Sequence, residues 1–274
     1  MQLYASTGGK GGTGKSTFAV LYAGKLMREG KKVVLCDCDV ECPNDHILLN
    51  IKLSENKPIY RNFPVIDREK CVSCGICSKV CRENAILWIK GRPPIIFKDK
   101  CTGCGACWLS CPYQAIDKQK EKVGELYESK VSDRLYLVSG FSNPGVSETG
   151  PIVRETRVSC LKLAEKIGAD VVIIDTSPGA HCNVIQALIG VKTAYVVTEP
   201  TPLGAHDAKL ILSLLRKMKI PSKIVLNKAT IGERSLIEKI SKEYNVPMAV
   251  EIPYSEELIR AYIHGQLLEA DNFL

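Results

Sequence analysis

The chain has 274 residues, a formal net charge of +7 and 13 cysteines, and 45% of its residues are hydrophobic. This length is enough for one large or two modest domains. No apolar run reaches the roughly 18 residues of a membrane span, and the first residues lack the layout of a signal peptide. We therefore expect a cytoplasmic protein. Disulfides are rare in a reducing cytosol, and the high number of cysteines therefore indicates metal ligands.

The charge pattern gives no sign of a nucleic-acid or membrane partner. Lysine and arginine are scattered along the chain, whereas nucleic-acid-binding proteins usually carry a basic stripe or tail. The segment 266–274 is short and acidic, unlike the basic amphipathic helix that binds a membrane surface. We expect neither kind of partner.

Short apolar runs alternate with helical patterns along most of the chain. The runs predict strands at Leu3–Ser6, Lys32–Cys36, Leu135–Val138, Val171–Ile174, Thr193–Val197, Lys223–Leu226 and Met248–Ile252. Helical patterns lie between them, as at Ser16–Arg28, Ala205–Lys217 and Ser235–Tyr244. Because several runs are almost wholly apolar, as in parallel strands covered on both faces, the fold class predicted is α/β with a doubly wound, mostly parallel sheet.

A glycine-rich segment follows the first predicted strand. Residues 9–17 read GKGGTGKST, which fits the P-loop pattern G-x-x-x-x-G-K-[ST], and a helical pattern follows directly. In this motif backbone N–H groups surround a phosphate chain, the lysine reaches the β- and γ-phosphates, and the hydroxyl binds Mg²⁺. We therefore predict an ATP and Mg²⁺ site formed by Gly9, Lys10, Gly11, Gly12, Thr13, Gly14, Lys15, Ser16 and Thr17.

The alternation of strands and helices stops between about residues 51 and 124. Two cysteine series of the form C-x2-C-x2-C-x3-C lie there, about 30 residues apart, and matching triplets follow them at Asn84–Ile86 and Gln114–Ile116. This internal repeat indicates a pseudo-twofold module. We predict an inserted domain at 58–118 within an ATPase domain formed by 1–57 and 119–274.

The cysteine spacing is that of bacterial ferredoxins, in which the fourth cysteine of each series binds the other cluster. It predicts a small α+β ferredoxin-like domain with two [4Fe–4S] clusters, the first bound by Cys71, Cys74, Cys77 and Cys111, and the second by Cys101, Cys104, Cys107 and Cys81. A zinc ribbon, built from paired C-x2-C motifs, is the alternative. Pro112 follows Cys111 whereas Arg82 follows Cys81, so we expect a more polar environment at the second cluster.

The segment 10–17, KGGTGKST, resembles the deviant Walker A motif of the MinD/ParA/nitrogenase-iron-protein family, which includes the Mrp-type ATPases. The likeness extends over residues 1–50 and 130–265. It implies a homodimer that sandwiches ATP, in which Lys10 reaches the phosphates bound by the partner.

The same resemblance assigns further residues of the nucleotide site. It implies that Asp39, after the second strand, lies near Mg²⁺ and orients the attacking water. Asp175, at the end of an apolar strand, matches the Walker B residue that holds a Mg²⁺-bound water. Gly179 matches a backbone donor to the γ-phosphate, and Asn227 matches a contact to adenine.

Together, these motifs predict an ATPase with Lys10, Lys15 and Asp39 as its catalytic residues. We expect it to couple its nucleotide state to electron transfer or to metallocluster assembly with an unidentified redox or cluster-accepting protein. The alternative is an iron–sulfur carrier or scaffold similar to the Mrp-type ATPases, in which Cys182 would bind a transferable cluster between subunits. The role of Cys42 stays open, and Cys36 and Cys38 are expected to be small buried hydrophobes.

Overall fold

The computed structural model describes residues 1–54 and 56–274. The chain folds into two compact units. The first unit comprises Met1–Lys57, Leu126–Phe141 and Val153–Leu274, and the second comprises Pro58–Glu125 and Ser142–Ile152. The domain boundaries expected from the sequence remain a prediction.

Most of the first unit consists of parallel strands that alternate with helices. The strands are β1 (Gln2–Thr7), β2 (Val33–Cys38), β7 (Leu135–Ser142), β8 (Val171–Thr176), β9 (Thr193–Thr198), β10 (Ser222–Asn227) and β11 (Met248–Ile252). The helices are α1 (Lys15–Arg28), α2 (Asp45–Leu48), α5 (Gly150–Ile167), α6 (Cys182–Leu188), α7 (Pro202–Lys217), α8 (Ser235–Tyr244) and α9 (Glu256–Ile263). Each strand predicted from an apolar run is confirmed within two residues at either end, except that β7 extends four residues further.

Six parallel pairings join these strands in the order β11-β10-β9-β1-β8-β2-β7. The register brings Asp37 of β2 opposite Asp175 of β8, and Ser6 of β1 is also opposite Asp175. Because parallel strands share one direction, their carboxyl ends meet at one edge of the sheet. The predicted mostly parallel α/β sheet is therefore confirmed, and its topology gathers the polar residues that follow the strands.

Burial on both faces explains why these strands read as apolar runs. Every residue of β2 (VVLCDC) and of β8 (VVIIDT) is buried. The side of the sheet under α1 contains a large core that includes Phe18, Leu21, Leu35, Leu137 and Ile173. Apolar area removed from water stabilises this packing by roughly 25 cal/mol per Å².

The remaining elements are β3 (Asn56–Ile66), α3 (Ile76–Val80), β4 (Ile86–Leu87), β5 (Ile95–Ile96), α4 (Ala106–Leu109) and β6 (Ile116–Lys130). One core cluster of the second unit is small, and its buried members are Cys77, Ile86, Cys107 and Ile116. Two of these four are cysteines of the repeated series. A core cluster of this size is a weak source of stability for a unit of about 80 residues.

Two long strands, β3 and β6, lie in the region where the sequence shows no regular alternation. The first seven residues of β6 (IDKQKEK) are exposed except for Ile116, and five of the seven are charged. Such a segment carries no apolar pattern, because strand pairing rather than side-chain burial holds it in place. For this reason no sequence pattern predicted these strands.

Truncation of a buried core side chain tests this packing. We expect Leu35→Ala to lower the free energy of unfolding by about 2–5 kcal/mol, because Leu35 is wholly buried in the middle of β2 and its removal leaves a cavity. Leu203→Ala is the control, since Leu203 is 56% exposed and its truncation should change stability by less than about 0.5 kcal/mol. Urea unfolding followed by circular dichroism measures both values. Equal losses in the two variants would contradict the packing described.

Candidate functional site

The glycine-rich segment forms a loop between β1 and the first turn of α1. Gly14 precedes the helix with φ of 93°, in the left-handed region that favours glycine, and a Cβ at this position would collide with the Asn227 amide. The Asn227 side chain donates to the backbone oxygen of Thr13 at 2.9 Å. The loop is therefore fixed both by its own conformation and by the end of β10.

Lys15 and Ser16 occupy the first turn of α1. The Lys15 ammonium donates to the backbone oxygen of Lys10 at 2.9 Å, and its side chain is almost wholly buried. Burial lowers the pKa of Lys15, and the charges of Asp175 and Asp39 oppose this shift. The Ser16 hydroxyl donates to Asp175 at 2.6 Å. The predicted lysine, hydroxyl and Walker B carboxylate thus lie together.

Three buried carboxylates, those of Asp37, Asp45 and Asp175, lie within 4.8 Å of one another. Asp37 accepts backbone N–H bonds from Asp39, Asn44 and Asp45, which gives it a structural role in shaping the loop after β2. Burial raises the pKa of Asp175 to about 7, and the Ser16 hydrogen bond and the Lys15 charge oppose the shift. One Asp175 oxygen, Oδ1, has no hydrogen-bond partner. A buried, unsatisfied carboxylate oxygen beside a serine hydroxyl suits a hard cation such as Mg²⁺.

Three further predicted residues lie near the loop and make different interactions: Asp39, Lys10 and Gly179. Burial raises the pKa of Asp39, whereas the charge of Lys15 lowers it. The Lys10 ammonium forms an ion pair with Glu199 at 2.5 Å, and the other Glu199 oxygen pairs with Lys228 at 3.1 Å. The Gly179 N–H donates to the backbone oxygen of Gly8 at 3.1 Å. In this conformation, neither the Lys10 ammonium nor the Gly179 amide is available to a phosphate.

A cavity of about 630 Å³ opens beside the loop. A volume of this size is typical of small-molecule and cofactor sites. Its walls include six of the predicted residues, namely Gly11, Gly12, Gly14, Lys15, Ser16 and Thr17, together with Asp39 and Asn227. They also include residues that sequence reasoning did not single out: His181, Asn183, Tyr254 and Tyr262. Only the position of His181 and Asn183, shortly after the predicted Walker B residue Asp175, could have indicated these two residues.

Two much smaller cavities, each of about 20 Å³, lie in the second unit. Four cysteines line the first: Cys71, Cys74, Cys77 and Cys111. Four others line the second: Cys81, Cys101, Cys104 and Cys107. The fold thus gathers the cysteines into the two groups expected from the ferredoxin spacing, with the fourth cysteine of each series in the opposite cavity.

Backbone amides and tryptophan rings complete the two cavities in a repeated manner. The N–H of Ala85 donates to Cys81 Sγ at 3.3 Å, and that of Ala115 donates to Cys111 Sγ at 3.4 Å. Amides directed at cysteine sulfur stabilise the thiolate form that binds metal. The rings of Trp88 and Trp108 pack against the backbone of the two series, at Gly75 and Gly105. The donor set and its surroundings therefore fit two iron–sulfur clusters.

The other cysteines fall into two classes. Cys36, Cys38 and Cys160 are buried, and the Sγ atoms of Cys36 and Cys38 lie 3.6 Å apart. A hydrogen bond to Cys160 raises the pKa of Cys36, a hydrogen bond to Cys36 raises that of Cys38, and burial raises both. These thiols therefore stay protonated. Cys42 and Cys182 are exposed. Cys42 lines the nucleotide cavity, and Asn183, next to Cys182, contacts Glu41, next to Cys42.

Comparison with known proteins places the chain in a family. The model of the CobQ/CobB/MinD/ParA nucleotide-binding domain matches residues 4–268. The chain belongs to this family. MinD/ParA proteins generally hydrolyse ATP, which supports ATPase activity at the level of the family. Among the described residues of this CobQ/CobB/MinD/ParA protein, no helix combines the length and apolar character needed to cross a bilayer.

Three relatives illustrate the relationship. An uncharacterized protein of Methanocaldococcus jannaschii is 37% identical over 267 residues, which is 97% of this chain and 91% of the relative. The structure of the septum site-determining protein MinD with Mg-ADP, from Pyrococcus horikoshii, has a TM-score of 0.61 at 16% identity and covers 99% of this chain and 88% of its own. Subunit VorD of the ketoisovalerate oxidoreductase of Pyrococcus furiosus is 44% identical over 64 residues, which is 23% of this chain and 60% of the subunit.

The pH dependence of stability tests the burial of Asp175. Because its folded pKa, about 7, lies above its unfolded value of 3.8, the folded state binds the extra proton between these pH values. This contribution to stability is present at low pH and is lost as the pH rises towards 7. With nucleotide and divalent cations removed, we expect Asp175→Asn to gain stability relative to wild type between pH 5 and 7, by up to about 1.4 kcal/mol per pH unit. Urea unfolding at several pH values measures the difference, and a constant difference would contradict the assignment.

Proposed function

We propose that this chain is an ATPase that holds two [4Fe–4S] clusters and couples its nucleotide state to electron transfer or metallocluster assembly with a partner protein. The observation that carries the proposal is the presence, in one chain, of a P-loop cavity and of two cavities with four cysteines each. The 64-residue likeness to an oxidoreductase subunit adds support for a redox role.

The nucleotide chemistry follows from the residues around the loop. The loop amides and Lys15 would bind the phosphates, and Ser16 and Asp175 would hold Mg²⁺, which would neutralise phosphate charge. Asp39 lines the same cavity and its carboxylate accepts a hydrogen bond from the attacking water, which orients the water towards the γ-phosphate. Lys10 leaves Glu199 and reaches the phosphates of a second subunit when a homodimer closes around ATP. Asn227, besides fixing the loop, borders the adenine.

The cysteine cavities supply the second activity. The first would hold its cluster through Cys71, Cys74, Cys77 and Cys111, and the second through Cys81, Cys101, Cys104 and Cys107. Clusters of this kind provide reversible electron transfer at potentials set by charge, hydrogen bonds and exposure. Their ligation also strengthens the second unit, one of whose core clusters is small.

A short segment of the chain connects the nucleotide site to the cysteine-containing unit and could couple the two activities. Asp39 begins the loop that would sense the γ-phosphate, and the same segment leads through α2 into β3, where the second unit begins at Pro58. We propose that nucleotide binding moves this segment and so alters which partner the cluster-binding unit meets.

The nucleotide site is tested by removing its lysine. We expect Lys15→Ala to lose ATP hydrolysis and to weaken ATP binding at least tenfold, because the phosphates lose their buried cation. Its iron content should equal that of wild type. Lys31→Ala, which removes an exposed lysine beyond α1, is the control and should retain activity. Phosphate release and equilibrium dialysis with ATP measure these effects, and normal hydrolysis by Lys15→Ala would disprove the site.

The clusters are tested by an iron count on anaerobically purified protein. We expect about eight irons per chain in wild type, and about four in either Cys74→Ser or Cys104→Ser. Cys42→Ser is the matched control, because Cys42 is exposed but lies outside both cysteine cavities. It should keep all eight irons. Zinc in place of iron would contradict the clusters.

Spectroscopy of the same preparations distinguishes the two forms of the proposal. An electron paramagnetic resonance spectrum of the reduced protein that changes on addition of Mg-ATP supports coupling of nucleotide to redox state. About four further irons per dimer, lost in Cys182→Ser, would instead support the Mrp-like carrier with a transferable cluster. The exposure of Cys182 and the contact that brings its neighbour next to Glu41 are the observations that favour this second candidate.

A further inference from the structure

A buried arginine lies behind the second cysteine cavity. Arg61 belongs to β3 and is only 7% exposed. Its side chain packs against Gly103, between Cys101 and Cys104, where a Cβ on the glycine would lie 2.8 Å from Arg61 Cγ. Gly103 has φ of 72°, so both its backbone conformation and the arginine beside it require glycine.

The charge of Arg61 is poorly compensated by the protein. One guanidinium nitrogen donates to the backbone oxygen of Glu148 at 3.2 Å, and the guanidinium lies 4.4 Å from the centre of the Phe63 ring. Nε is buried and has no hydrogen-bond partner, and within residues 1–54 and 56–274 no ion pair to Arg61 is formed. Glu121, Glu148 and Asp99 act on it only at longer range. A buried cation of this kind needs an anion close by.

The nearest candidate for that anion is the second cavity. Arg61 packs on Gly103, in the turn between Cys101 and Cys104, and both of these cysteines line the second cavity. Four thiolates around an iron–sulfur core carry net negative charge, and reduction adds one more negative charge. A fixed cation therefore stabilises the reduced form more than the oxidised form.

Among the described residues of the second unit, Arg61 is the one charged residue that is buried, so the first cavity has no buried cation beside it. Ser73 takes the place of Gly103 in the first series, and its backbone oxygen accepts a hydrogen bond from Trp88 Nε1 at 2.8 Å. Among the described residues that line this cavity, none is charged. The second cavity has one charged wall residue, Glu83, but this carboxylate is exposed and solvent screens its effect.

On the basis of the proposed function, we propose that Arg61 raises the reduction potential of the second cluster above that of the first. It acts as a positioning charge, fixed by its packing on Gly103 and by its bond to Glu148. An electron given to the second unit then resides at the cavity formed by Cys81, Cys101, Cys104 and Cys107. Electron transfer within the unit therefore runs from the cluster in the first cavity to the cluster in the second.

A redox titration of the full chain, followed by electron paramagnetic resonance, tests this asymmetry. Wild type should show two midpoint potentials. In Arg61→Gln the higher one should fall until the ratio of oxidised to reduced cluster at a fixed potential has changed at least tenfold, which is about 59 mV for one electron. The lower potential should stay unchanged. Arg61→Lys keeps the charge and should stay near wild type, and Glu83→Gln should shift the higher potential slightly upwards.

The outcomes separate this inference from the proposed function. Eight irons per chain with neither potential moved by Arg61→Gln, or with both moved equally, would overturn the role of Arg61 alone. Wild-type protein without iron would overturn the proposed function and the role of Arg61 with it. If Arg61→Gln fails to fold, Arg61→Lys decides, because a higher potential that falls by as much as about 59 mV although the charge is kept would show that the charge of Arg61 is not the cause.

Discussion

The buried ammonium group of Lys15 is the interaction on which the nucleotide site depends. A lysine with so little exposure loses most of its hydration, and it is tolerated because carboxylates face it from the ends of two strands. Those carboxylates, Asp175 and Asp39, are in turn raised in pKa by the same burial. The site therefore holds a buried cation and two carboxylates close together. Phosphate would balance the charge of Lys15, and Mg²⁺ would balance the charges of Asp175 and Asp39.

The second unit depends on a different constraint. One of its core clusters is built from cysteines of the two series and from isoleucines. Two cavities lined by four cysteines each lie beside it. Sulfur ligands bound to iron would supply the cohesion that this core lacks, so binding and folding of the unit are linked. Exposed apolar side chains such as Leu109, at 81%, also remain on its surface.

The two sites hold their charged side chains in different ways. Glu199 binds Lys10 and Lys228 at once, which holds the Lys10 ammonium in an ion pair in this conformation. Arg61, in contrast, has no carboxylate partner among the described residues and packs beside Gly103, in the second cysteine series. The Lys10 ion pair involves a partly exposed side chain, whereas Arg61 is buried and packs on Gly103. This difference is the physical reason to assign movement to Lys10 and tuning to Arg61.

The sequence by itself determined the seven parallel strands, the phosphate-binding loop and the grouping of cysteines, because each depends on local spacing. Strands buried on both faces must be apolar throughout, and a loop that wraps phosphate must be rich in glycine. The structure brings the eight cysteines together in the two sets that this spacing predicted. Only the tertiary structure decided which distant groups face one another. The strand order places Asp175 beside Ser16, and it brings Asn227 and Glu199 to a loop some 200 residues earlier in the chain. The long, charged strand β6 and the buried charge of Arg61 also left no sequence signal. Backbone pairing and side-chain packing across the fold create them, and no local pattern of apolar residues records such contacts.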